Sequence, residues 1–275
     1  MSSIQKQKSD LESIESIQMI TRVMRDMSAN RIKDLKDSFE KNFEFYKSVG
    51  FAFNSIKQLI YQYHTDLAES LKDRPTAHIA ITSNHQFYGD LNRRIAETFL
   101  KNWDDADDKL MIGKTGQHFI SSDPKSKKCE YINFEEDNPT TEEINKIVSW
   151  SEKYDKVIVY YPQYEDPFHQ VVTSTDISQV EESDNPENLE RYIFEPDLPT
   201  IHDFFTTQIQ YILFERVMLE TDLSRTAARL IKMDSAEHTA SDMYKQGKHD
   251  LRRTIQSEQG IELLETISRL SKWRI

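Results

Sequence analysis

At 275 residues, with 30% charged and 37% apolar residues and a formal net charge of −12, the chain has room for one large domain or two ordinary ones. That charge argues against nucleic acid or an anionic lipid surface as a partner of the whole chain. The single cysteine, Cys129, excludes an internal disulfide, a CxxC pair and a thiolate metal site.

Turn residues lie in one block. No Gly precedes Gly50, no Pro precedes Pro75, all eight prolines fall between Pro75 and Pro199, and only Gly247 and Gly260 interrupt the chain beyond Pro199. Since Gly and Pro punctuate turns and helix ends, the chain reads as two helical arms around a punctuated middle. In the first arm Leu11, Ile14, Ile17, Ile20, Met24 and Met27 recur at three- and four-residue steps, the mark of an amphipathic helix. It is expected to continue through Phe43, Phe51, Ile56 and Ile60, with Gly50 as the place for a break. No signal-like leader opens the chain, and no stretch nears about 18 apolar residues. Membrane association is therefore expected only through a partner.

In the middle, strands are predicted at His78–Thr82, Lys109–Ile112, Glu130–Phe134, Lys156–Tyr161, His169–Thr173 and Arg191–Phe194. Asp90–Trp103 and Thr141–Glu152 read as helices, the second opened by Pro139-Thr140-Thr141-Glu142-Glu143. The alternation predicts an open, partly parallel α/β sheet. The acidic runs Asp104–Asp108, Glu135–Asp137 and Glu181–Glu182 read as solvated loops, and 176–189 as a surface loop.

The second arm starts near Thr200 and carries Ile201, Phe205, Ile209, Ile212, Leu219, Leu223, Ala227 and Leu230 on one stripe, then Met233, Met243, Leu251, Ile255, Leu264, Ile267 and Leu270. Opposed arms predict a long antiparallel coiled coil: 1–72 with 200–275, around a central α/β domain at 73–199.

Chemistry is sparse. Gly113-Lys114-Thr115 ends like a phosphate-binding loop, but Asp108 stands where that loop needs its first glycine, so a sharp structural turn is expected. The histidines show no HxxxH or HExxH spacing, and no nucleophile signature appears. No catalytic residue, metal site or cofactor is expected.

Three segments together resemble the gamma subunit of the F-type ATP synthase. In Ser13–Ala29, Ile20-Thr21-Arg22-Val23-Met24 is similar to that family's N-terminal helix, where isoleucine-threonine precedes a basic residue, a small residue and a methionine. Thr82-Ser83, with Gly89 and Asn92, is similar to its first strand and turn, with Gln86-Phe87-Tyr88-Gly89 replacing the family's glycine-leucine-cysteine-glycine. Met111–Gly116 is similar to the next strand and turn. Tyr192–Pro196, Leu223–Ala236 and Arg252–Glu258 resemble the approach to the C-terminal helix and two stretches along it, the last in an altered order.

The resemblance spans nearly the whole chain. It implies a Rossmann-like central domain and a non-catalytic central-stalk rotor, with alpha and beta subunits, an epsilon-type subunit and a c-ring as partners. It also implies a peripheral membrane complex on the cytoplasmic or matrix face. Arg22, Met24, Arg25, Arg252, Arg253 and Gln256 become candidate subunit contacts, with solvated or intramolecular pairing as the other reading. Met24 and Met27 read as packing, and Leu270 and Ile275 as a tip for the collar's sleeve. The alternatives are the shaft of an ATPase uncoupled from a proton-driven ring, and a non-rotating coiled-coil scaffold.

Overall fold

The computed structural model describes residues 3–63, 75–154, 156–178 and 198–272. Helix α1 runs Ser3–Tyr63 and continues through Gly50 without a break. There follow β1 (Thr76–Ile81), α2 (Leu91–Lys101), β2 (Asp108–Ile112), α3 (Lys114–Ile120), a 3₁₀ turn (Pro124–Lys128), β3 (Cys129–Ile132), α4 (Thr141–Ser151), β4 (Lys156–Tyr164), β5 (Gln170–Asp176) and α5 (Leu198–Lys272). The expected strand at Arg191–Phe194 and the Glu181–Glu182 run lie outside the described residues. Pro199 sits in the first turn of α5, where its missing N–H costs nothing. No helix among the described residues is long and apolar enough to cross a membrane.

The sheet has the order β3-β2-β1-β4-β5. β1 to β4 are parallel and β5 is an antiparallel edge. Both faces are covered, as parallel strands require. Ala77, Ile79 and Ile81 of β1 join Ile144, Ile147 and Val148 of α4 and Phe214, Val217 and Met218 of α5. Ala80 turns to the other layer with Leu91, Ile95, Ala96 and Phe99 of α2 and Ile120 of α3. Pro162 falls beyond the last β4 residue that pairs with β1 and opposes only Val172 of β5, so its missing donor interrupts no central ladder.

The two local helix signals work as physics prescribes. Thr140 and Glu143 close a reciprocal capping box on α4. Gly113 sits at φ 99°, where a Cβ would overlap the Thr82 carbonyl. The short helix α3 escaped the sequence reading because its seven residues carry no full apolar period.

The acidic runs are not all solvated. Asp107 Oδ2 lies 2.9 Å from His78 Nε2, Asp108 accepts from Tyr154 Oη at 2.8 Å, and Asp137 is tied to Asn84 and Tyr88. Sequence alone shows a charge run; only folding brings donors to individual carboxylates.

Residues 29–229 pack as one compact unit, and 1–28 with 230–275 as another. Within the first, Arg31 of α1 meets Asp222 of α5 at 3.0 Å, and α5 is buried almost all round from Val217 to Ala228. Glu220 is among these residues and accepts from Tyr161 Oη at 3.2 Å. Burial pushes its carboxyl above the ordinary value, against the charge of Arg216 and the Tyr161 hydrogen bond. The folded state therefore holds this proton more tightly than the unfolded chain. Stability falls as pH rises through the interval between the unfolded and folded values, and the loss persists above it. Glu220→Gln is expected to raise the thermal midpoint at about pH 8 and to flatten that acid-side slope. A lower midpoint in the variant would show the carboxylate to be net stabilising.

Candidate functional site

In the unit formed by 1–28 and 230–275, α1 and α5 run antiparallel, with Leu11 facing Gly247 and Arg22 facing Glu237. The inward positions of α1 are Ile4, Gln7, Leu11, Ile14, Gln18, Thr21, Met24 and Ser28. Those of α5 include Met233, Ala236, Ala240, Tyr244, Gly247 and Leu251. Small and polar side chains fill much of this seam and allow the helices close approach. Beside the inward Ile4, Leu11, Ile14 and Met24, five further large apolar residues of α1 face out: Ile17, Met19, Ile20, Val23 and Met27 are 51–65% exposed, as is Met243 of α5 at 54%. The expected stripe through Ile17, Ile20, Met27 and Met243 is thus corrected. A three-and-four step fits two neighbouring stripes, and the small residues decide which one lies inside.

Polar atoms lock the seam. Arg22 Nε donates to Glu237 Oε1 at 2.8 Å, and Arg25 reaches the other oxygen of the same carboxylate. Arg25 also donates to Asp26 Oδ1 from Nε at 3.1 Å and from Nη2 at 2.9 Å, and lies 3.6 Å from Asp234. The hydrogen bond from Arg22, with the charge of Arg25, holds the Glu237 carboxyl below the usual glutamate range. The bond to Asp26, with Glu237 and Asp234 opposite, raises Arg25 above its ordinary value. Glu237 and Asp234 were not flagged by the sequence, in which an acidic residue on a helix looks the same whether it faces a seam or solvent.

Past Ile255 the seam ends, and every residue from 256 to 270 is exposed. This stretch of α5 carries Ile261, Leu263, Leu264, Ile267 and Leu270 at 53–68% exposure. Arg252, Arg253 and Gln256 are exposed at its root. Arg22 and Arg25 are therefore brought together on Glu237, with Met24 half-buried beside them in sequence, while Arg252, Arg253 and Gln256 stand in a separate group. Ile275 lies outside the described residues. A Cβ on Gly260 would meet nothing within 4 Å, whereas a Cβ on Gly247 would lie 3.0 Å from Leu11 Cδ2. Gly260→Ala is expected to strengthen the helix by about 0.5–1 kcal/mol, and Gly247→Ala to gain less, as judged by helicity in thermal melts. Equal gains would show that Leu11 yields freely.

The turn at Gly113 is structural. The amides of Lys114, Thr115 and Gly116 donate to Asn84 Oδ1, the Ser83 carbonyl and Thr82 Oγ1 at 3.2, 3.0 and 3.0 Å. The amides that cradle phosphate in a nucleotide loop are here spent inside the protein. The carboxyl ends of the strands, where doubly wound sheets ordinarily take a ligand, meet α5 itself: Glu220 at Tyr161 and Arg225 at Asp137.

Terminal helices that run antiparallel in one unit, and a Rossmann-like sheet in the other, define a coiled-coil α/β protein. The chain belongs to the ATP synthase family, which it matches over residues 3–270. It is 24% identical to the ATP synthase gamma chain of Mycoplasma mobile, with 98% of each chain covered. It is 22% identical to that of Christiangramia forsetii, with 97% of each covered. Its fold is similar to a chain of the Euglena gracilis mitochondrial ATP synthase rotor, with a TM-score of 0.64, 11% identity, and 93% of this chain and 98% of that one covered. It is also similar to a chain of the Tetrahymena thermophila mitochondrial ATP synthase central stalk and c-ring, with a TM-score of 0.59, 19% identity, and 79% and 99% covered.

Proposed function

We propose that this chain, a gamma-type central-stalk subunit of a rotary ATP synthase, is non-catalytic and carries torque between a membrane c-ring and a ring of alpha and beta subunits. Its functional parts are the arms 1–72 and 200–275, which form the shaft, and the domain 73–199, which sits with the epsilon-type subunit and c-ring. The complex is peripheral to the membrane, on the cytoplasmic or matrix face.

One observation carries the reading. The helix from 256 to 270 is exposed all round yet bears five large apolar side chains. A lone segment of that length is marginal in water, and its apolar surface is costly to leave wet. A collar that sleeves it removes both costs. Below it, the outward face of Ile17, Met19, Ile20, Val23 and Met27 gives the shaft a chemically distinct side.

A shaft with one such side meets three equivalent sites differently at any moment. Each orientation therefore favours a different nucleotide state through differential contact free energy. Arg22, Met24, Arg25, Arg252, Arg253 and Gln256 remain the proposed contacts with the collar. Arg22 takes part while its Nε stays on Glu237, since its side chain is 56% exposed.

Native mass spectrometry of the purified complex tests the assignment. The expected stoichiometry is one copy per six collar subunits; recovery as a self-sufficient homodimer without ATPase subunits would overturn it.

A further inference from the structure

In the unit 29–229, α5 lies on the sheet largely through apolar contact: Phe214, Val217 and Met218 on one layer and Ala228 on the other. Apolar burial is non-directional. It holds the helix close without fixing its rotation about its own axis or its slide along the sheet. Fixing those needs directional bonds: Gln210 accepts from Ser151 Oγ at 3.1 Å and Glu220 from Tyr161 Oη at 3.2 Å, and a larger cluster follows them along the helix.

Arg225 is 2% exposed, and its Nη1 donates to the main-chain carbonyl of Asp137 at 3.3 Å. The Asp137 carboxylate is gripped by the loop after β1, accepting from Asn84 N at 2.6 Å and Tyr88 Oη at 2.5 Å. Arg229, one turn along α5 from Arg225, donates to Tyr88 Oη, and its guanidinium lies over the Tyr88 ring, 4.8 Å from the centroid. On the preceding turn Asp222 holds Arg31 of α1. Within two turns, α5 is thus bonded to α1, to the loop after β3 and to the loop after β1.

The cluster is costly. Arg225 Nε and Nη2 and Arg229 Nε find no hydrogen-bond partner among the described residues, nor do the hydroxyls of Thr221 and Ser224. The Asp137 carboxylate is bonded to Asn84 N and Tyr88 Oη rather than to either arginine, so the Arg225 guanidinium meets it only through charge. Burial lowers the Arg225 guanidinium from its ordinary value, with Asp137 opposing. Burial also works against ionisation of Asp137, but the Tyr88 hydrogen bond and the Arg225 charge outweigh it, and the carboxyl lies below the usual range. A methionine at 225 would fill the space without a buried, half-satisfied cation, so the arrangement is poorly accounted for by stability.

We propose that Arg225 and Asp137, backed by Arg229 and Tyr88, form a keyed joint that fixes the azimuth and register of α5 on the α/β sheet, so that torque applied to the sheet turns the helix instead of slipping past it. This rests on the rotor reading. The joint is a positioning device, acting through geometry rather than on any substrate.

The test uses the full rotary complex, immobilised by its collar, with a bead on the α/β domain. The double variant Arg225→Met/Asp137→Asn removes both charges together and leaves neither stranded. Torque per assembled complex is expected to fall by about half or more, with ATP hydrolysis at low load near the parent rate. Tyr88→Phe deletes only the hydroxyl that joins Asp137 to Arg229, keeps the ring, and is expected to give a smaller loss of torque with normal assembly. A purely structural role lowers the thermal midpoint or yield but leaves torque per assembled complex unchanged. Parent-level torque in either variant overturns the joint. Failure of the parent chain to turn in the collar refutes the rotor reading instead.

Discussion

A chain ending at Ser257 is expected to fold and assemble nearly as well as the parent but to deliver markedly less ATP-driven torque. The segment removed contributes little to the chain's own core, because every residue from 257 to 270 is exposed. Its five large apolar side chains would each gain about 1.5–3 kcal/mol on full burial in a sleeve. Ordering and association costs consume much of that sum, which leaves several kcal/mol to centre the tip. The thermal midpoint of the isolated chain should therefore stay put while stall torque in the assembled complex drops. Unchanged torque would refute a role for the tip contacts, and a collapsed midpoint would show that the tip folds back on the chain.

Gly113→Ala should destabilise the α/β unit strongly, by about 3–5 kcal/mol. Two terms add. The residue sits at φ 99°, and its Cβ would overlap the Thr82 carbonyl, a main-chain atom just past β1 whose residue is held by the bond from Thr82 N to the Ile112 carbonyl. A loss of that size lowers the midpoint by roughly 10 °C in a chain of this length. Gly116→Ala should cost less, because its backbone needs no positive φ and the atoms its Cβ meets, Met111 Sδ and the Thr82 side chain, belong to side chains and not to the main chain. Thermal unfolding of the two variants side by side decides the matter. A neutral Gly113→Ala would show that the turn has slack, and would remove the steric reason for glycine after β2.

The strands were legible because buried parallel strands are short apolar runs between turn residues. β1, β2 and β4 lie within two residues of their expected starts, with β4 running on to Tyr164. Helix α4 was legible from Thr140 and Glu143, whose capping box is a local device. What could not be read was which side of a helix faces in. Ile17, Ile20 and Met27 keep the same spacing as Leu11, Ile14 and Met24, yet point outward. The choice depends on small residues such as Thr21 and Ser28 on one helix and Ala240 and Gly247 on the other lying on the facing sides, as where Gly247 takes Leu11, a property of two segments more than 200 residues apart. The same holds for Asp137, one acidic residue in a run of three until Tyr88, Asn84 and Arg225 converge on it.

By itself the sequence determined the long helices, by the absence of Gly and Pro from both arms, and the sheet between them, by periodicity and turn chemistry. Both follow from local conformational preference, which acts over a few residues. Tertiary structure alone decided the seam, the outward apolar face, the bare end of α5 past Ile255 and the buried Arg225 on the sheet. Each of these depends on which surfaces are withdrawn from water together, and that is fixed only when distant segments pack.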